Sequence, residues 1–268
     1  MESSRVKRLK VMNPNQSDKK MTSTKRTHPS QHRTSASHWI TLLSTVLASA
    51  LLSACASKPV PPDWQTNAFA ALKGFSSAYL SGNTRLADFE FARAKSEIAS
   101  TGRADLLARA ELTRCAVRLA SLELDQCAGY QTLAAEASPN EQAYAAFLTG
   151  QWRGLDVARL PVPYRAIVLA AAAKQPSGSQ PSALVAIEDP LSRLIAAGAL
   201  LQSSRLSSFD VASATETASS QGWRRPLLAW LGVQLQAARE SADRPAATRI
   251  QRRIDLVLQN ASEQRPSQ

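Results

Sequence analysis

RADLLARAELTRCAVRLASL, residues 103–122, is the stretch on which the fold turns. Ala108, Leu112, Cys115, Leu119 and Leu122 recur at steps of four and three, the spacing that lines one face of an α-helix. The positions between them carry Ala, Arg, Glu and other residues that a helix tolerates well, with no Gly or Pro inside. Working outward, the same periodicity predicts helices over 63–80, 84–100, 126–136 and 139–149, then 163–174, 182–187, 190–203, 208–220, 224–241 and 245–260. Gly82, Gly102 and the Ser138-Pro139 and Asp189-Pro190 pairs punctuate them as stop and start signals. No sustained alternation of apolar and polar residues marks a strand. The expected class is all-α: antiparallel helical hairpins forming an α-solenoid or a helical bundle, large enough for a real core.

The N-terminal part follows a different order. Arg26 and Arg33 precede an apolar run over 39–52 that is too short and too rich in Ser and Thr for a membrane span of about 20 residues. Leu52-Ser53-Ala54-Cys55 closes that run. Positive charge, apolar stretch and small residues in succession read as an export signal. The four residues resemble the lipobox of bacterial lipoproteins, position by position. That resemblance implies cleavage before Cys55, acylation of its sulfur and anchorage in membrane lipid. Ala56 in place of Asp after the cysteine implies, by the sorting rule of enteric bacteria, the outer membrane with the domain in the periplasm. The expected organisation is an extension and signal over 1–54, a lipidated Cys and Pro-rich tether over 55–62, a helical domain over 63–260 and a polar tail over 261–268. With so long a leader, Met21 competes with Met1 as the start.

Cutting at Cys55 changes the chemistry that the composition allows. The whole chain carries a net +11, but nine of its 32 Lys and Arg and two of its 21 Asp and Glu precede Cys55. The remainder, 23 against 19, is an ordinary solvated surface, and no aromatic-plus-basic motif points to nucleic acid. All three His and all three Met lie in the leader. No histidine is left for a Ser-His-Asp or Cys-His arrangement, and too few thiols and imidazoles for a zinc site. No Walker loop, G-x-G-x-x-G or G-x-S-x-G occurs, and no mature lysine stands three residues after a serine. We therefore expect no catalytic constellation, no cofactor and no metal.

Cys115 and Cys127 belong to an exported chain, where disulfides persist. A continuous helix would hold them about 18 Å apart. If the chain reverses between Leu122 and Asp125, Cys127 reaches back and bridges an α-hairpin; otherwise both are small buried thiols.

A repeat is suggested by Gly82-x4-Ala87-x3-Phe91-x2-Ala94, which resembles the second half of a tetratricopeptide repeat. Weaker echoes occur at Pro139-Asn140-x2-Ala143 with Phe147-Leu148 and Gly150, and at Leu231-Gly232-x2-Leu235 with Ala246, Ile250 and Arg253. No three repeats of 34 residues run in register. In the last helix Arg249, Arg252 and Arg253 stand opposite an Ile250, Ile254 and Val257 stripe, read as a solvated face or a basic surface for an anionic partner. Trp223 and Trp230, seven apart, are expected in the core.

Helical-repeat lipoproteins of the kind this chain resembles serve envelope assembly. The resemblance implies a non-catalytic scaffold or assembly factor with a protein partner. The alternative is a periplasmic protein that binds glycan or small molecules, or cleaves glycan with carboxylates such as Asp88, Glu90 or Glu111, since such cleavage needs only two acids.

Overall fold

The computed structural model describes residues 60–173 and 183–263, and its first two helices, α1 (Asp63–Ser81) and α2 (Thr84–Ala99), are joined by Gly82 and Asn83 alone. Gly82 adopts φ 88°, which a side chain would resist, and the N–H groups of Gly82 and Asn83 donate to the carbonyls of Tyr79 and Ala78. The Asn83 side chain then accepts from the Leu86 N–H at 3.2 Å and starts α2. So short a link presses the two helices together. Ala87, Phe91 and Ala94 are buried along α2, and the Phe91 ring lies 5.2 Å from that of Phe75 on α1.

Helix α3 (Ala104–Leu119) falls within residues 103–122 and stops three residues short of the expected end. Leu122 turns left-handed at φ 59°, and the Glu123 N–H donates back to the Arg118 carbonyl, closing the helix as glycine usually does. The single helix expected over 126–136 is a short α4 (Ala128–Gln131) followed by a 3-10 turn at Ala134–Glu136. Gln126 and Cys127 have φ 53° and 54°, so no right-handed helix can begin there. From here the start signals act as read. Ser138 and Glu141 form a capping box at α5 (Pro139–Leu148), and α6 (Val162–Ala172) follows a second 3-10 turn, Val157–Arg159. Past a third turn at Ala183–Ala186, Asp189 caps α7 (Pro190–Gln202), accepting from the Ser192 N–H at 2.7 Å. A second capping box opens α8 (Ser208–Ser220), and α9 (Arg224–Glu240) and α10 (Arg244–Glu263) complete the chain. Among the described residues there is no strand, and the fold is all-α.

One contiguous core runs from Ala68 to Leu231. Its centre is α3, which touches α1, α2, α4, α5 and α7. Gly198 on α7 makes the last of these contacts close: a Cβ there would sit 2.7 Å from the Leu119 carbonyl oxygen. Helix α9 packs on α8 and α10 and also returns to α1. A repeat array touches only its neighbours in sequence. Contacts between the first and ninth helices are those of a closed bundle, the second of the two architectures expected.

Leu52, Ser53, Ala54 and Cys55 lie outside the described residues, as do most of the tether and the tail after residue 263. Among the described residues no helix is long and apolar enough to cross a membrane.

Candidate functional site

Helix α1 carries more apolar surface than α2 can cover. Ala68, Ala71, Phe75 and Ala78 form the buried stripe, while Phe69 and Leu72 stand on an adjoining face with Ser76, and Leu80, buried in the core, lies beneath them. Phe69, Leu72, Ser76 and Leu80 form one wall of a groove of about 770 Å³. Asp189, Pro190 and Leu191 at the start of α7 form the opposite wall together with Gln221 and Trp223 from the α8–α9 junction, and Thr113 of α3 completes the lining. Phe69 stands on the lip with 71% of its surface exposed, close to Lys73. An exposed aromatic above an apolar trough, rimmed by one cation and one carboxylate, matches the make-up of protein-docking surfaces.

Trp223 departs from the core position that its spacing from Trp230 predicts. It is half-buried at the N-terminus of α9, where its ring is shared between core and groove, and Trp230 alone is fully enclosed. Phe69 escaped the sequence reading because its neighbours at 68, 71 and 75 account for the helix period by themselves. The available signal was Phe69 and Leu72, an apolar pair three apart beside that stripe.

A second cleft, about 480 Å³, lies between α3, α5 and the start of α6. Arg109, Arg159 and Arg165 line it with Tyr144 and Glu141. Glu141 is fully engaged: Oε1 takes the Arg109 Nε and Nη2 at 2.9 and 2.8 Å, and Oε2 accepts the Ser138 N–H at 2.8 Å. Arg165 donates to the Leu160 carbonyl, and Arg159 holds Asp156 at 2.9 Å. Burial pushes the Tyr144 and Tyr164 phenols above their ordinary range, and their rings stack at 5.6 Å. A third, open cleft of about 660 Å³ beside Gly154 contains Asp156.

The carboxylates weighed for glycan cleavage are not brought together in a cleft. Asp88 is exposed on α2, and Glu90 holds Arg93 at 2.8 Å. Glu111, 4% exposed, sits inside the bundle with Oε1 2.8 Å from Lys95 Nζ and Oε2 3.2 Å from Arg114 Nε. Both cations also lie over the Phe91 ring, at 5.9 and 5.0 Å. Each of the three clefts has a single carboxylate in its lining: Asp189, Glu141 or Asp156. Among the described residues no group of three or more His, Cys, Asp or Glu is placed to hold a metal ion.

Cys115 and Cys127 are joined as a disulfide with Cα atoms 5.1 Å apart. The chain turns between them at Leu122, and Asp125 Oδ1 accepts the Cys127 N–H at 3.0 Å while Oδ2 lies 3.3 Å from Arg118 Nε. The bridge fixes α4 against α3, where Gly129 leaves room for the Glu111 carboxylate. Compared with protein families, curated proteins and solved structures, the chain matches none.

Proposed function

We propose that this chain is an envelope lipoprotein, anchored in the outer membrane through acylated Cys55 with its helical body in the periplasm, and that it works as a non-catalytic scaffold or assembly factor for a protein partner. The groove on α1 carries this reading. It offers an apolar floor and an exposed aromatic, the features by which a partner's helix or extended segment is held. Glycan cleavage asks instead for two acids facing one space, and each cleft described has one, already engaged by a backbone N–H or an arginine.

The test is a photo-crosslinking side chain at Phe69 in intact cells. The reading expects one defined adduct to an envelope protein, lost when Leu72→Asp is added. A chain that crosslinks only to itself, or whose adduct is unchanged by Leu72→Asp, would overturn it.

A further inference from the structure

Helix α10 is held by one face only. Ile250, Ile254 and Val257, at i, i+4 and i+7, pack toward α9, the helix against which α10 chiefly lies. The outward face is exposed, and its pattern is regular. Leu256 stands three, four and seven residues after Arg253, Arg252 and Arg249, so all four share that face, with the leucine 61% exposed among the guanidinium groups.

What sets these arginines apart is their clustering on one exposed helix face around an exposed leucine. Arg109, Arg114, Arg118 and Arg225 hold carboxylates, and Arg193 and Arg205 donate to backbone carbonyls. Among the described residues no carboxylate lies within ion-pair distance of Arg249, Arg252 or Arg253; Asp255, on the same helix, accepts from Gln251 Nε2 at 3.0 Å. Three long cations around one apolar side chain are matched by a surface that is anionic outside and apolar beneath. A phospholipid headgroup layer has that profile: phosphates meet the guanidinium groups and Leu256 enters the acyl boundary.

We infer that the outer face of α10, formed by Arg249, Arg252, Arg253 and Leu256, is a docking surface for anionic phospholipid. This rests on the anchor reading for its setting, since the eight residues from Cys55 to Pro62 span at most about 28 Å and keep the body beside a bilayer. Anchor and α10 then make two contacts with one surface, and the second orients the body, setting which way the α1 groove faces.

The body from residue 60 onward buries its own contiguous core and serves for the test. It is titrated with phosphatidylglycerol vesicles and with phosphatidylcholine vesicles at low and high salt. Binding is expected to the first alone and to vanish in high salt. Each arginine contributes about fivefold, so Arg249→Gln/Arg252→Gln/Arg253→Gln lowers affinity on the order of 100-fold, and Leu256→Gln lowers it severalfold. Circular dichroism checks that both variants keep the fold. Equal binding to the two lipids, or a triple variant that binds as tightly as the parent, would overturn the inference and leave an acidic protein as the surface's partner. The result is independent of Cys55, whose own role is read by whether the full chain stays on membranes through a high-salt wash.

Discussion

The indole Nε1 of Trp230 donates to the carbonyl oxygen of Ala120 at 3.1 Å, tying α9 to the end of α3 across 110 residues of chain. Trp230 has no exposed surface, so its ring fills the space between these helices while its one polar atom is satisfied. Trp230→Phe should lower stability by about 1–3 kcal/mol, from a buried carbonyl left without this donor and a smaller ring. Trp230→Ala should lower it by about 3–5 kcal/mol. Urea unfolding measures both, and a Phe variant as stable as the parent would remove the hydrogen bond from the account.

Glu111 is the buried carboxylate around which α2, α3 and α4 meet. Its partners keep part of their surface in water, so they do not become stranded charges when it is neutralised. Glu111→Gln is therefore expected to lose about 1–3 kcal/mol, less than the loss typical when a fully buried pair is broken. The expected companion effect is faster amide exchange over residues 128–131. Exchange that quickens equally everywhere would mean the residue is not local in its action.

Reducing the Cys115–Cys127 bond frees a loop of sequence separation 12 and should remove about 3 kcal/mol. Leu122, Gln126 and Cys127 are held left-handed at a cost of about 1–3 kcal/mol each, so this loop should be the first part to relax. The urea midpoint with and without reductant, and that of Cys115→Ala/Cys127→Ala, should fall together. A reduced chain with an unshifted midpoint would contradict this.

Alkaline pH gives a signed prediction. The Tyr144 and Tyr164 phenols lie above their unfolded value of about 10 because burial disfavours the phenolate. A group whose folded pKa is raised in this way contributes fully below the unfolded pKa. That contribution is lost as pH rises above about 10 toward the folded value. Stability should fall across this window, and Tyr144→Phe/Tyr164→Phe should flatten the slope. Unfolding midpoints between about pH 8 and 11 decide it.

Cys55→Ala should release the chain from membranes under a high-salt wash. Retention through such a wash would refute the anchor, whatever α10 does.

Most helix boundaries were written in local chemistry. Gly82-Asn83, Ser138-Pro139 and Asp189-Pro190 are stop and start signals whose side chains make the hydrogen bonds that their types suggest, because caps depend on only three or four neighbouring residues. The 120–127 reversal was harder to read, since Leu122, Gln126 and Cys127 are not residues that favour left-handed backbone, and tertiary packing imposes it. Leu122 is the instructive case: it continues the apolar stripe of the opening segment, yet it lies past the end of the helix. The groove depends on which elements meet. Phe69 and Trp223 lie 154 positions apart, and no local pattern connects them.

Arg225 gives the closed bundle a further meaning. From the start of α9 its guanidinium donates to the Tyr79 carbonyl at 2.8 Å and to Thr84 Oγ1 at 2.7 Å, lies 3.2 Å from Glu123 Oε1, and covers the Tyr79 ring at 4.1 Å. The first hairpin thus receives its last partners from a residue made some 140 positions later. An array of repeats can be lengthened or trimmed by whole units and still fold. This chain is not modular in that sense: ending it before α9 would leave the first turn without its Arg225 partners, so that turn is complete only once α9 is in place.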